Sequence, residues 1–386
     1  MDNITLVTRV AEGLSLKNNQ VQSVLDLTEE GCTIPFISRY RKERTGELDE
    51  VAVNSIIENF KRISELEKRR EYILTYLKDN DKLTPELEKK IKLAATLNVL
   101  EDLYLPYKPR KKTLADKARD LGLEPLANLI KDNNLSKDKA LEEAKKYITD
   151  DVQDVEAALN HAIDIVVQDY SDSPEVRGHV RENMKKGAVV VSVKRGKKEE
   201  GVKFKDYFEF DEKVSKMPAH RTMAILRGVN EGYLNISVDS LDDAAVLARD
   251  MTGLLFKKNG ELLKHAAEES LKRHLNKSLG NEILAEMKEK AELESVQIFS
   301  KNLERILLSS PFGERAVIGI DPGIRTGCKA ALIDSNGDYI KFIAMNLNKN
   351  EKDIEKIGNW VKEYSVKGIA IGDGTFGRET FGIAKK

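Results

Sequence analysis

From residue 316 the sequence reads AVIGIDPG, a short apolar run that ends in Asp321, Pro322 and Gly323. Such a continuous run is typical of a strand that is buried in an α/β sheet. Two more apolar runs follow at 329–334 and 339–345, and the Asn-Gly pair between them is a strong hairpin signal. The pattern therefore predicts three strands, of which the last two form a hairpin.

The residues after these strands extend the prediction to a mixed α/β domain. Residues 350–364 carry Ile354, Ile357 and Val361 at helical spacing. Residues 366–372 are typical of a fourth strand, and Asp373 follows directly. The predicted domain covers 315–386, and we expect it to be truncated because the chain stops soon after the fourth strand.

The sequence before residue 316 is mostly typical of helix. From Asp49 to Asp79, apolar residues recur at steps of three and four and form one stripe. A helix of about 30 residues would be about 45 Å long, a length common in elongated scaffolds. Thr84-Pro85 and Ser173-Pro174 each place a capping hydroxyl before a first-turn proline. Further helices are predicted at about 115–131, 137–148, 151–169, 174–186, 241–256, 260–278 and 281–307.

One region interrupts the helical pattern. Residues 187–193 are rich in β-branched side chains, 203–210 alternate polar and aromatic residues, and 233–238 form a third short apolar run. Either small strands lie between the helices here, or a helix tolerates poor propensity, and propensity does not decide between them.

These patterns predict a mainly α, multidomain fold, in which an elongated helical N-terminal region precedes a truncated α/β domain. The predicted domains are a helical domain at 1–200, a helical linker or scaffold with possible short strands at 201–314, and the α/β domain at 315–386.

Composition limits the classes of function. The chain has 386 residues, of which 64 are Lys or Arg and 65 are Asp or Glu, so its net charge of −1 excludes a globally basic nucleic-acid binder but not a local basic patch. Its two cysteines, Cys32 and Cys328, exclude a disulfide framework and a cysteine zinc site. No apolar run approaches 18 residues and no signal peptide is apparent, so we expect a cytoplasmic protein.

Asp321 and Asp373 each follow a predicted strand, which is where ligands collect in α/β sheets. If the two strands are parallel neighbours, these carboxylates lie close together and supply oxygen ligands for Mg²⁺ at a catalytic site. In the alternative interpretation, both residues only cap turns that are rich in Gly and Pro. Neither glycine-rich loop matches a nucleotide-binding fingerprint.

Two clusters of cations beside aromatic residues are candidates for contacts with nucleic-acid phosphates. In the alternative interpretation, they are charged faces in solvent, and the first cluster only orients the start of the long helix. Pro106 and Pro109 keep the second cluster extended and its charges displayed. The candidate residues are Arg39, Arg41 and Lys42 in the first cluster, and Lys108, Arg110, Lys111 and Lys112 in the second.

His220 and Arg221 precede a predicted helix and are two more candidates for a phosphate contact. For His220, a buried and hydrogen-bonded role is favoured over a phosphate contact. The five histidines show no zinc-ligand spacing.

At several of these motifs the sequence resembles the Tex family of bacterial transcription accessory proteins. The matching segments occur in family order along essentially the whole chain. They include FISRYRKE at 36–43, YLPYKPRKK at 104–112, PAHR at 218–221, GIDPGIRTG at 319–327 and GDGT at 372–375.

The resemblance implies an N-terminal helical region with a helix-turn-helix-like part and a YqgF-type domain of RNase H-like fold. It adds Arg325 to the candidate nucleic-acid contacts. Full-length members continue with helix-hairpin-helix modules and an RNA-binding OB-fold, so we expect this chain to be a fragment or an interrupted gene product. RNase H-like nucleases use three or four carboxylates, of which Asp321 and Asp373 match two, and many relatives carry a non-acidic residue where Asp373 stands.

The sequence therefore predicts a non-catalytic transcription accessory factor that binds nucleic acid, with RNA favoured over other ligands. One alternative is a Mg²⁺-dependent nuclease that uses Asp321 and Asp373. Another is a docking platform for RNA polymerase or a ribosome. No cofactor is expected unless the nuclease site is active.

Overall fold

The computed structural model of the chain describes residues 3–133, 135–258, 260–323, 327–345, 351–374 and 376–385. The chain is mainly helical and divides into two compact units, residues 1–296 and 297–386, so the predicted mainly α, multidomain fold is confirmed. Within the described residues, no helix is both long and apolar enough to cross a membrane.

Helices form the beginning of the first unit. They are α1 (Asn3–Leu14), α2 (Asn18–Glu29), α3 (Ile34–Tyr40), α4 (Lys42–Thr45) and α5 (Glu50–Asp79). The predicted long helix is α5, and it begins at Glu50 because the Asp49 carboxylate accepts a hydrogen bond from the Ala52 N–H at 2.8 Å. Ile37 and Ile56 are fully buried in the core that α1–α3 share with the first half of α5.

Seven further helices continue this unit. They are α6 (Pro85–Leu93), α7 (Leu97–Tyr104), α8 (Leu114–Asp120), α9 (Glu124–Asn133), α10 (Lys137–Ala144), α11 (Val155–Asp172) and α12 (Pro174–Lys186). The predicted starts of α6 and α12 are confirmed, since Thr84 and Ser173 cap them with their hydroxyl groups. The single helix predicted at 115–131 is wrong, because Gly122 adopts a left-handed φ of 77° between α8 and α9.

A small antiparallel sheet follows α12. Its strands are β1 (Ala188–Val193), β2 (Glu209–Lys213) and β3 (Leu234–Asp239), in the order β2-β1-β3. This sheet decides the open question about the region in favour of strands. The strand-like alternation at 203–210 belongs mostly to a 3₁₀ turn over Val202–Tyr207, in which Phe204 is buried. Helix α13 (Ala219–Asn230) separates β2 from β3.

Three helices follow β3, namely α14 (Ala244–Phe256), α15 (Glu261–Ser270) and α16 (Asn276–Leu307), with a π-helical turn over Leu271–Leu275 between the last two. A helix break was predicted near residue 280, and this prediction is wrong. Gly280 continues the helix as a buried residue. A Cβ atom at this position would lie 3.6 Å from the Met184 Cε atom, an ordinary packing distance.

The second unit contains the predicted mixed sheet. Its strands are β4 (Val317–Asp321), β5 (Cys328–Ile333), β6 (Tyr339–Met345) and β7 (Gly368–Ile371), in the order β6-β5-β4-β7. The predicted β5–β6 hairpin is confirmed, and β7 pairs with β4 in parallel. Helices α17 (Glu351–Glu363) and α18 (Gly377–Ala384) complete the unit. Ile318, Ile320 and Cys328 are buried in its core, as expected for Cys328.

Candidate nucleic-acid interface

Residues 108–112, here called the basic loop, connect α7 with α8. The loop adopts neither helix nor strand, and every one of its five residues is exposed. A 3₁₀ turn over Leu105–Tyr107 leads into the loop, and Thr113 ends it by capping α8 through a reciprocal hydrogen bond with Asp116. All four cations of the loop are exposed as predicted, but Pro106 lies in the 3₁₀ turn and not in an extended segment.

Acidic partners divide the four cations of the basic loop into two groups. Arg110 donates to the Asp172 carboxylate at 2.9 Å, and Lys112 forms an ion pair with Asp120 at 2.7 Å. The hydrogen bond with Asp120 raises the pKa of Lys112 above its ordinary value. Lys108 and Lys111 form no ion pair with any described residue. These two ammonium groups are therefore the ones in the loop that are available to phosphates.

A second surface lies on α3 and at the start of α4. Arg39 and Lys42 are exposed, and neither forms an ion pair within the described part of the chain. The Arg41 guanidinium lies over the Phe36 ring, 4.8 Å from its centroid, and the Phe36 and Tyr40 rings are 5.4 Å apart. The buried Ile37 anchors the opposite side of α3, which turns these aromatic rings toward solvent.

Phe36 and Tyr40 were not among the contacts predicted from sequence. The spacing of four residues between them was the available signal, because it brings both rings to one side of a helix. Arg44 donates two hydrogen bonds of 3.2 Å to Glu30, the residue that follows α2, and this pairing was not predicted either.

His220 and Arg221 lie at the start of α13. His220 is exposed and has no hydrogen bond to a described residue, so the buried and hydrogen-bonded role that was favoured for it is wrong. Arg221 donates to the Glu212 carboxylate at 2.5 Å and lies over the Phe210 ring. This hydrogen bond raises the pKa of Arg221, and Glu212 compensates its charge.

Asp321 and Asp373 lie at the same end of neighbouring parallel strands. Ile320 is opposite Ile371 in the register, and the Gly372 N–H donates to the Ile320 carbonyl at 2.9 Å. Both aspartates are exposed. The two strands are therefore parallel neighbours, as the prediction of a shared site required, and both aspartates follow them at the same edge of the sheet.

The residues at this edge do not fit a nuclease metal site. Among the described residues, no three His, Cys, Asp or Glu side chains form a group that could hold a metal ion. Lys329 is the direct neighbour of Asp321 on β5, and both line a depression of about 530 Å³ on the exposed face of the sheet. Two carboxylates with an ammonium group beside them supply too few ligands for a two-metal site. Arg325, the remaining candidate contact, lies outside the described residues.

Comparison with known proteins identifies three consecutive regions of one family. The matching family models are the Tex-like protein N-terminal domain at residues 4–78, the Tex central region at 136–299 and the Tex protein YqgF-like domain at 315–386.

Individual relatives match almost the whole of this chain. The transcriptional accessory protein Tex of Neisseria gonorrhoeae is 34% identical over 98% of the chain, and protein tex of Bordetella pertussis is 33% identical over 98%. The human S1 RNA-binding domain-containing protein 1 is 27% identical over 98% of the chain. The matches cover 51% of each bacterial relative and 40% of the human one, so the chain spans about half the length of the bacterial relatives.

Proposed function

The chain belongs to the Tex family, of which it carries the N-terminal, central and YqgF-like regions, and on this premise we propose that it binds RNA as a non-catalytic transcription accessory factor. The observation that carries this proposal is the basic loop, which displays Lys108 and Lys111 without an acidic partner in the described part of the chain. Exposed ammonium groups attract phosphates and release condensed counterions on binding.

A second set of contacts comes from α3 and α4. Arg39 and Lys42 supply charge, while Phe36 and Tyr40 offer exposed rings on which unpaired bases stack. Stacking on aromatic side chains suits single strands and tolerates any sequence. Arg41, Arg110, Lys112 and Arg221 contribute less, because each already contacts an aromatic ring or a carboxylate. His220 and Arg325 complete the proposed set.

The proposed role requires no metal and no other cofactor. Asp321 and Asp373 lack further carboxylates among the described residues, which supports binding rather than hydrolysis. A nuclease would show Mg²⁺-dependent cleavage of RNA that is lost in Asp321→Asn. We expect the purified chain to leave RNA intact with or without Mg²⁺, as judged by gel electrophoresis.

The proposed setting is the cytoplasm, where RNA polymerase and ribosomes are the expected partners. We also propose that the N-terminal region contributes a helix-turn-helix-like part, as in the family that the sequence resembles.

Fluorescence anisotropy with a short labelled single-stranded RNA tests the proposal. The titration is run in EDTA at several salt concentrations. We expect affinity to fall with salt, with a log–log slope of about −0.7 for each phosphate contact. The double variant Lys108→Glu/Lys111→Glu should reduce the steepness of that slope by about 1.4, since two contacts are lost.

The matched control is Lys137→Glu/Lys139→Glu on α10, which makes the same change in charge at two exposed lysines elsewhere. This control should retain most of the affinity and the full salt slope. Binding that does not depend on salt, or equal losses in both double variants, would refute a specific role for the basic loop.

A protein-docking platform is the second candidate function, and one surface of α16 favours it. Leu293 and Val296 lie three residues apart on this helix, and each side chain is more than half exposed. Contiguous exposed apolar side chains are typical of protein interaction sites. Capture of purified RNA polymerase that persists after nuclease treatment would support this candidate.

A further inference from the structure

An open cavity of about 380 Å³, with several polar side chains in its lining, lies in the first unit near the end of α11 and the start of α16. Asp172 on α11 and Arg177 on α12 line one side, and His274 and Lys277 line the other. His274 belongs to the π-helical turn, and such turns occur frequently at functional sites. Except for Asp172, the partner of Arg110, this cavity includes none of the residues discussed above as interface contacts or their partners.

Several polar groups that line the cavity have no hydrogen-bond partner among the described residues. Gln168 is only 9% exposed, yet its amide makes no hydrogen bond with a described residue and is not sealed in the core. Lys277 and Asn281 are exposed, and their side chains make no hydrogen bond in the described part of the chain. The hydrogen-bonding capacity of these three side chains is therefore free for a ligand in the cavity.

The charge of the lining favours an anion. Arg177, Arg273 and Lys277 line the cavity, and the one lining carboxylate among the described residues, Asp172, is already paired with Arg110. Arg177 is paired with Asp102, and Arg273 with Asp164 and Glu269. Lys277 is therefore the lining cation that has no ion pair with a described residue.

The size and position of the cavity narrow the class of anion. Its volume lies within the range of small-molecule sites, about 300–1,000 Å³, so it has room for a nucleoside as well as a phosphate. Arg110 of the basic loop reaches the cavity edge through its ion pair with Asp172. A single-stranded nucleic acid that is bound along the basic loop would therefore reach the cavity with its end.

We propose that the cavity binds a nucleotide that carries a terminal phosphate, at the end of a single-stranded nucleic acid held by the basic loop. Lys277 contacts the phosphate, while the amides of Gln168 and Asn281 hydrogen-bond the sugar or the base. This inference rests on the proposed function, in which the basic loop binds RNA. The cavity itself would also accept a free mononucleotide.

The test compares three otherwise identical RNAs that carry a 5′-phosphate, a 3′-phosphate or hydroxyl groups at both ends. A charge-assisted contact predicts that one of the phosphorylated RNAs binds about tenfold more tightly than the hydroxyl RNA. Lys277→Ala should abolish this preference. Gln168→Met, which keeps the volume of the side chain, should weaken the binding of the phosphorylated RNA.

The control variant is Lys272→Ala. Lys272 lies on the π-helical turn before α16, its side chain is 79% exposed, and it does not line the cavity. It should keep the full preference, and circular dichroism should show that all variants fold. Salt-dependent binding that is equal for the three RNAs would overturn the cavity proposal and leave the proposed function intact.

Failure of all three RNAs to bind would instead contradict the proposed function. Calorimetric titration with AMP and GMP then tests separately whether the cavity binds a mononucleotide. Mononucleotide binding that is lost in Lys277→Ala would support a site for free nucleotides and would contradict binding of a strand end. Absence of mononucleotide binding as well would overturn the cavity proposal.

Discussion

At the scale of single residues, one buried ion-pair network joins three helices of the first unit. Glu67 on α5 is 6% exposed and accepts hydrogen bonds from both Arg70 and Arg9. Arg70 also donates to the carbonyls of Ile91 and Ala94, at 3.0 and 2.6 Å. The Glu67 carboxylate therefore joins α1 to α5 and orients the arginine that holds the end of α6.

Glu67→Ala should destabilise the first unit by about 3 kcal/mol at neutral pH, because removal of one partner leaves buried charge uncompensated. Burial raises the pKa of Glu67, but the hydrogen bonds from Arg70 and Arg9 outweigh it, and the pKa lies below its ordinary value. A lowered folded-state pKa stabilises the fold above the unfolded-state pKa, about 4.3, and this contribution disappears as the pH falls through the folded-state pKa.

Urea unfolding of the wild type and the variant at pH 7 and at pH 3 measures this effect. The difference in unfolding free energy between the two proteins should be smaller at pH 3. Glu65→Ala, at an exposed position on the same helix, should change stability little at either pH. A difference that is the same at both pH values would contradict the assignment to the carboxylate charge.

At the scale of elements, two glycines in the first unit should respond in opposite ways to replacement by alanine. Gly187 joins α12 to β1, and a Cβ atom there would lie 1.9 Å from the Asp239 carbonyl oxygen. Gly253 lies inside α14 with no atom within 4 Å of its Cβ position. The first glycine permits β1 to pair closely with the end of β3, whereas the second has no packing role among the described residues.

Gly187→Ala should destabilise the chain by about 1–3 kcal/mol, since the backbone at the end of β3 must shift. Gly253→Ala should instead stabilise it by about 0.5–1 kcal/mol, because alanine is the better helix former. Thermal unfolding, monitored by circular dichroism, measures the change in stability of both variants. A change of the same sign in the two variants would refute the close contact at Gly187.

At the scale of the whole molecule, the second unit presents an exposed sheet face. Gly319, Ala331 and Ala370 form a row of small residues across β4, β5 and β7, and Phe342 extends the row on β6 at 53% exposure. Phe312 precedes the sheet and packs on Gly368, where a Cβ atom would lie 2.8 Å from the ring. The segment before β4 therefore covers part of the sheet.

Residues 316–386 expressed alone should fail to unfold cooperatively and should aggregate, because open strand edges and an uncovered face invite association. A longer segment, 297–386, restores the contact of Phe312 with Gly368 and should be less prone to aggregate. Light scattering and thermal unfolding of the two segments measure the difference. A sharp, reversible transition in the shorter segment would show that Phe312 is dispensable.

Sequence by itself determined the elements whose ends depend on local hydrogen bonds. Asp49, Thr84 and Ser173 start their helices as predicted, because a capping side chain needs only the next few backbone N–H groups. The strands of the second unit were equally predictable, because an apolar run and an Asn-Gly turn are local signals. Two glycines were exceptions: Gly122 interrupts the single helix that was predicted at 115–131, and Gly280 lies within α16 where a break was predicted.

Only the tertiary structure decided which cations are available to a ligand. Arg110 and Asp172 are far apart in sequence yet share an ion pair, whereas Lys111, next to Arg110, has none among the described residues. The unpartnered Gln168 amide is likewise visible only after the helices around it pack. Charge compensation and burial depend on distances in space, and helical packing sets these distances between residues that sequence order keeps apart.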